Sequence, residues 1–267
     1  MNGNIELKTL VKNKYSKVVS AGGGCGCCDP TTETLTDGSL NMAEDYSALE
    51  GYLPEADYQL GCGVPTRHAE IKAGDTVLDL GSGAGNDAFV VQRIVGGSGR
   101  VLGLDFTTEM VTKARQNSSK LGLDNVEFIQ GDIEEMPVAS AAIDVVISNC
   151  VLNLVPDKEK AFGEIFRVLK PGAHFCVSDI VAIGELPAEL RKSAELYAGC
   201  VAGALEKDAY LKLVKDAGFT GIEVRQARKI DIPEGVVREH LSAETLTAWE
   251  SANLGLESIT LFAVKPA

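Results

Sequence analysis

Three of the seven cysteines lie where the backbone turns or narrows: Cys62 in Leu60-Gly61-Cys62-Gly63-Val64-Pro65, Cys150 just after the apolar run Ile143–Ser148, and Cys200 among Gly199, Val201, Ala202 and Gly203. Thiolates are soft ligands, and three of them suit a trigonal pyramidal, thiophilic centre that keeps a lone pair. Cys176 falls mid-strand in His174-Phe175-Cys176-Val177 and reads as a small buried hydrophobe. Cys25-Gly26-Cys27-Cys28 has half the ligands of a zinc site, but no second Cys/His pair stands at zinc spacing. A mobile thiol donor or a redox relay fits that Gly-rich patch better, and no metal cofactor is expected. An odd number of cysteines in a reducing compartment argues against a disulfide framework.

The elements that must position these thiols are readable. Ile143–Ser148 is a continuous apolar run, as in a parallel strand buried on both faces, and it ends in Asn149-Cys150. In open α/β sheets ligands bind outside the carboxyl ends of the strands, so a thiol there faces the cleft. Upstream, VLDLGSGAGND ends a strand in Asp79 and then turns through Gly81, Gly83 and Gly85. This resembles the cofactor turn of the S-adenosylmethionine (SAM) methyltransferases. Two later strand ends support it. Asp105 is placed to accept hydrogen bonds from both ribose hydroxyls, Asp132 to take an adenine amino group, and Ile133 to pack on the ring. A dinucleotide oxidoreductase would show a six-residue Gly fingerprint and a second nucleotide half, and neither is evident. Asn149, beside Cys150, is expected to reach cofactor or substrate.

The chain divides into residues 1–70, helical and then Cys-rich; 71–182, the SAM-binding core; and 183–267, a closing region. Strands are predicted at Thr76–Leu80, Arg100–Asp105, Val126–Gly131, Ile143–Ser148 and His174–Asp179, with Lys170-Pro171-Gly172 as the turn into the last. Helices are predicted at Asn86–Val95, Thr107–Leu121, Asp157–Leu169, Pro187–Cys200 and Glu206–Ala217, followed by polar loops and a closing strand Ser258–Val264. Near helical spacing, Ile5, Leu7, Leu10, Val11, Tyr15, Val18 and Val19 mark an amphipathic N-terminal segment, on which Tyr15 reads as packing. The class is α/β and Rossmann-like. At 267 residues and 45% hydrophobic, the chain can bury one such domain with small additions. A formal charge of −13 with dispersed lysines and arginines disfavours nucleic acid as partner. No apolar run has the length of a membrane span and no signal peptide is evident, so a cytoplasmic protein without a membrane partner is expected. His68, His174 and His240 are scattered and read as non-catalytic.

Trivalent arsenic is a thiophilic centre of the kind three thiolates hold. Its lone pair is a nucleophile for a sulfonium, and thiolate-bound arsenic has no proton for a base to remove. Holding the two reactants in line supplies about 7–11 kcal/mol of the barrier. Val11–Tyr15 with the Cys cluster, LGCGVP, VLDLGSGAGND, SNCVLNLVPDK and GCVAGA together resemble the SAM-dependent arsenite methyltransferases over nearly the whole chain. The resemblance implies a class I methyltransferase fold whose N- and C-terminal additions form the arsenic site. It implies that Cys150 and Cys200 bind arsenic, that Cys62 acts with them, and that one of Cys25, Cys27 and Cys28 is a fourth ligand, with Cys28 or Cys27 favoured. It further implies stepwise methylation of arsenite and methylarsenite, with glutathione or thioredoxin as thiol reductant. The sequence is expected to lack the longer C-terminal extension of eukaryotic relatives. The competing readings are a SAM methyltransferase of a quinone or small acid, and a non-enzymatic arsenical sensor or sequestering protein.

Overall fold

The computed structural model describes residues 2–20, 42–185, 187, 189, 203–230, 241–242, 245 and 255–267. The unbroken apolar runs form the middle of the sheet. β1 (Thr76–Leu80), β2 (Arg100–Asp105), β3 (Val126–Gln130), β4 (Ile143–Asn149) and β5 (Leu169–Ile183) run parallel. β7 (Gly255–Val264) lies antiparallel between β5 and β6 (Thr220–Ile230), giving the order β3-β2-β1-β4-β5-β7-β6. The order reverses between β1 and β4, which opens a crevice at their carboxyl ends.

Alternation along each strand divides two apolar layers. Val77, Val145, Ile147 and Cys176 face α2 (Asn86–Val95) and α3 (Thr108–Leu121). Leu78, Leu80, Val146, Phe175 and Val177 face α4 (Lys158–Val168) and α5 (Lys207–Asp216). In that second layer Phe175 packs edge-on to Phe219, and Phe162 edge-on to Tyr210. Such pairs add about 0.5–1.5 kcal/mol each beyond their burial. The helices start on side chains that accept orphan backbone N–H groups: Asp157 accepts from Lys160 at α4, and Glu206 from Ala209 at α5. The amphipathic α1 (Asn2–Ser20) packs on α3. Among the described residues no helix is long and apolar enough to cross a membrane.

Beyond shifts of element ends, the structure differs from the sequence reading in two places. Lys170-Pro171-Gly172 is a bulge inside β5 and not a turn before it: Ile143 pairs with Leu169, and Val145 next pairs with His174. Gly172, at φ 76°, absorbs the extra residues. Polar residues 220–230 form β6 where a loop was expected, because an edge strand needs no apolar face toward solvent and carries charges such as Glu223 and Lys229 there. The helix predicted at Pro187–Cys200 lies almost wholly outside the described residues.

Cys176 is fully buried mid-strand between Ile147 and Phe262, and burial pushes its thiol up to about 12. Cys176→Ser places a hydroxyl in that apolar layer and should destabilise the fold by about 1–3 kcal/mol, read as a lower urea midpoint. An unchanged midpoint would mean the layer admits a polar partner.

Candidate active site

The carboxyl ends of β1, β2 and β4 open into one cavity, bounded on its other side by Lys8, Val11 and Tyr15 of α1. Asp79, Gly81, Gly83, Asp105, Asp132, Ile133, Asn149 and Cys150 all line it. Asp105 holds the glycine turn as well as facing the cavity. Its Oδ2 accepts the Gly83 N–H at 3.0 Å and its Oδ1 the Thr107 N–H at 2.8 Å. Asp132 Oδ1 accepts the Glu134 N–H, and its Oδ2 accepts Lys8 Nζ at 2.6 Å. Lys8 also reaches Glu134 at 2.6 Å, so it pins α1 across the cavity. Burial works against the Lys8 ammonium, but these two acids outweigh it and raise its pKa. Lys8 was missed in the sequence, although it stands three and seven residues before Val11 and Tyr15, on the same helical face.

Acids crowd this cavity. Asp79 is 2% exposed, and burial, followed by repulsion from Asp87 and Asp105, raises its pKa well above the usual carboxylate range. Burial raises Asp105 too. Asp87, in the first turn of α2, is pushed up to about 6, chiefly by burial, against the hydrogen bonds from Tyr46 and Asn149. Among the described residues, Asp79 Oδ2 and Ser82 Oγ are buried without a hydrogen-bond partner. Buried, mutually repelling carboxylates with unused acceptors suit a cationic ligand.

The thiols stand beside the acids. Cys150 directly follows β4, in the left-handed region at φ 60°, and its N–H donates to the Ser178 carbonyl at 2.7 Å. Cys62 and Cys150, 0% and 2% exposed, share one buried cluster with Val11, Ile180, Ala204 and Leu256. Asn149 fastens the Cys62 turn: its Oδ1 accepts the N–H groups of Cys62 at 3.0 Å and Gly63 at 3.3 Å. Both glycines of Gly61-Cys62-Gly63 are needed for this approach. A Cβ on Gly61 would lie 2.5 Å from Asn149 Nδ2, and one on Gly63 2.6 Å from Ser178 Oγ. The structure thus brings Cys62 and Cys150 together. Cys200, Cys28, Cys25 and Cys27 lie outside the described residues, though Ala204, just beyond Cys200, is fully buried in the same cluster.

His174 bonds the Ala69 carbonyl and His68 bonds Gln226, and neither lines the cavity, whereas His240 lies outside the described residues. A buried pair went unnoticed in the sequence. Tyr210 donates to Asp179 Oδ2 at 3.2 Å, and both are wholly inside the fold. The acid in the mostly apolar second half of β5 was the available signal. Burial pushes the Tyr210 hydroxyl well above 10, with further contributions from Asp179 and from nearby Cys62 and Cys150. Burial likewise pushes Asp179 up to about 7 from 3.8. A raised carboxyl binds its proton more tightly folded than unfolded, so its contribution is fully present below 3.8 and is lost as pH climbs to about 7. Asp179→Asn abolishes that loss. The variant should therefore gain stability relative to the parent protein between about pH 4 and 7 in urea titrations, and level off above. A difference constant with pH would show that Asp179 stays ionised in the fold.

Comparison with known proteins places this geometry in a family. Residues 71–218 match the family model of a methyltransferase domain. The arsenite methyltransferase of Halobacterium salinarum is 36% identical over 277 residues, covering 98% of this chain and 67% of that one. The human arsenite methyltransferase is 40% identical over 230 residues, covering 80% of this chain and 58% of its own length. The crystal structure of an arsenic(III) S-adenosylmethionine methyltransferase from Chlamydomonas reinhardtii superimposes with a TM-score of 0.66 at 36% identity, covering 77% of this chain and 68% of that one. A seven-stranded Rossmann-like sheet, a SAM-type glycine turn at its switch point and two cysteines buried beside it agree with those relatives: the chain belongs to the arsenite methyltransferase family.

Proposed function

We propose that this protein methylates trivalent arsenic held by Cys150, Cys200 and Cys62, with SAM as methyl donor, giving methyl- and dimethyl-arsenicals. The observation that carries this reading is the burial of Cys62 and Cys150 in one cluster at the edge of an acid-lined cavity. The residues present fit the cofactor: crowded carboxylates and the unused Asp79 Oδ2 and Ser82 Oγ suit its cationic groups. When bound, SAM supplies an electrophilic methyl group on its sulfonium. In this reading Asp105 accepts from the ribose hydroxyls while keeping its grip on the Gly83 N–H, as a carboxylate with about four lone-pair sites can. Asp132 and Ile133 take the adenine edge and face. Asp79, Gly81 and Gly83 line the methionine side.

The thiolates are ligands and no base is needed, because the arsenic lone pair is the nucleophile. The apolar cluster around Cys62 and Cys150 excludes water, which would otherwise compete for arsenic. Methyl transfer takes arsenic from the trivalent to the pentavalent state. Each further round therefore needs two electrons, which a thiol reductant such as glutathione or thioredoxin supplies as it becomes a disulfide. The flanking stretches 1–70 and 183–267 bring cysteines to the core 71–182, with Cys28 or a neighbour as the fourth donor. Asn149, which lines the cavity, is read as a contact to cofactor or substrate whose amide also holds the Cys62 turn.

Incubating the protein with labelled SAM, arsenite and thiol should yield methylated arsenicals. Cys150→Ser and Cys200→Ser should lose methylation of arsenite and methylarsenite alike. Cys62→Ser should lose mainly the first, since methylarsenite has one fewer site to fill. Asp105→Ala should weaken SAM binding by about 1.5–3 kcal/mol and leave arsenite binding unchanged. Product formation in Cys150→Ser, or a quinone methylated in place of arsenite, would refute the reading.

A further inference from the structure

One side chain separates the acid-lined pocket from the Cys62 turn. On one side, Asn149 Oδ1 accepts the Cys62 and Gly63 N–H groups. Its Nδ2 donates to the Gly63 carbonyl of the same turn at 2.8 Å and, on the pocket side, to the Tyr46 hydroxyl at 2.8 Å, with Asp87 Oδ2 at 3.4 Å. Tyr46 in turn donates to Asp87, whose oxygens lie at 2.9 and 3.1 Å, or to the Gly63 carbonyl at 3.1 Å. The path thus runs from Asp87 in the pocket, through Tyr46 and the Asn149 amide, to the backbone that carries the Cys62 thiol.

We propose that Asn149 is a positioning residue that makes the placement of the Cys62 thiol depend on what fills the cofactor pocket. The inference rests on the reading above, in which Cys62 is an arsenic ligand.

An amide can be turned end for end, and only one orientation serves here. With Oδ1 toward the turn, two backbone N–H groups are satisfied; reversed, the amide NH₂ meets the same two donors and the turn is released. The partner on the pocket side decides between them. Ionised Asp87 only accepts, so it draws in the Tyr46 O–H and the Asn149 N–H and keeps Oδ1 on the turn. Protonated Asp87 is a donor, and it favours the reverse. Burial, and to a smaller extent Asp57, holds Asp87 near that change, and Tyr46 and Asn149 oppose it. A cation in the pocket lowers the repulsion among these acids and keeps Asp87 ionised. Tyr46 is itself 4% exposed and packed on Val64 and Val90, so the path is held by packing on both sides.

By linkage, a pocket cation and arsenite must then tighten each other's binding by the same factor. The test uses sinefungin, an amine-bearing SAM analogue with no methyl to transfer, and measures arsenite affinity by equilibrium dialysis with and without it at about pH 5, where Asp87 is mostly protonated without a pocket cation. In the parent protein sinefungin should tighten arsenite binding by about fivefold or more. In Asn149→Ala it should change that affinity less than about twofold, and in Tyr46→Phe the factor should fall toward the same limit. A merely structural Asn149 would weaken arsenite binding equally with and without sinefungin, leaving the factor intact, and that result overturns the proposal. Tyr46→Phe keeps the buried ring and lacks only the hydroxyl, so it decides the matter should Asn149→Ala not fold. Cys62→Ser separates the two claims. If it binds arsenite as the parent protein does, the ligand reading fails. If it weakens binding while the factor survives both other substitutions, the relay alone fails.

Discussion

A single hydrogen bond, from the Cys150 N–H to the Ser178 carbonyl, fixes where the fourth strand stops and the site begins. It holds a non-glycine residue at φ 60°, a conformation that costs about 1–3 kcal/mol where surroundings enforce it. The same bond keeps β5 in register to the end of β4, with Asn149 paired to Ser178. Asn149 therefore meets the Cys62 turn, and Cys150 enters the cavity. Ser178 Oγ bonds Thr260 and stands where any Cβ on Gly63 would go, so one strand position shapes both cysteine segments.

Around that joint the protein gathers groups that resist burial. Asp79, Asp87 and Asp105 repel one another at the mouth of the glycine turn, and Asp179 with Tyr210 lies beneath the thiols. Such groups destabilise the empty fold and become favourable once a cation or a thiophilic ion compensates them. The stability to carry them comes from the two apolar layers on either side of the sheet, where the large side chains are fully buried.

The parallel half of the fold was legible because strands buried on both faces are uninterrupted apolar runs, and β1, β2 and α2 match their predicted limits. β6 was not legible, since an edge strand has no such run. Within the site, Asp79, Asp105 and Cys150 could be placed from strand ends alone, because topology puts strand ends at the crevice. Lys8, Tyr46 and Asp179 could not, because their importance comes from partners more than thirty positions away in sequence or across the sheet. Asn149 was marked by its neighbour Cys150 and lines the cavity, but only the folded turn shows that its amide also holds Cys62.

The central claim is that arsenic is held by sulfur alone beside the cofactor pocket. X-ray absorption at the arsenic K-edge, on protein loaded with arsenite and without added thiol, reads that directly. The account predicts an all-sulfur first shell in the parent protein, with an oxygen entering it in Cys62→Ser. Oxygen neighbours in the parent protein, or an unchanged sulfur shell when Cys62 and Cys150 are both replaced by serine, would contradict it.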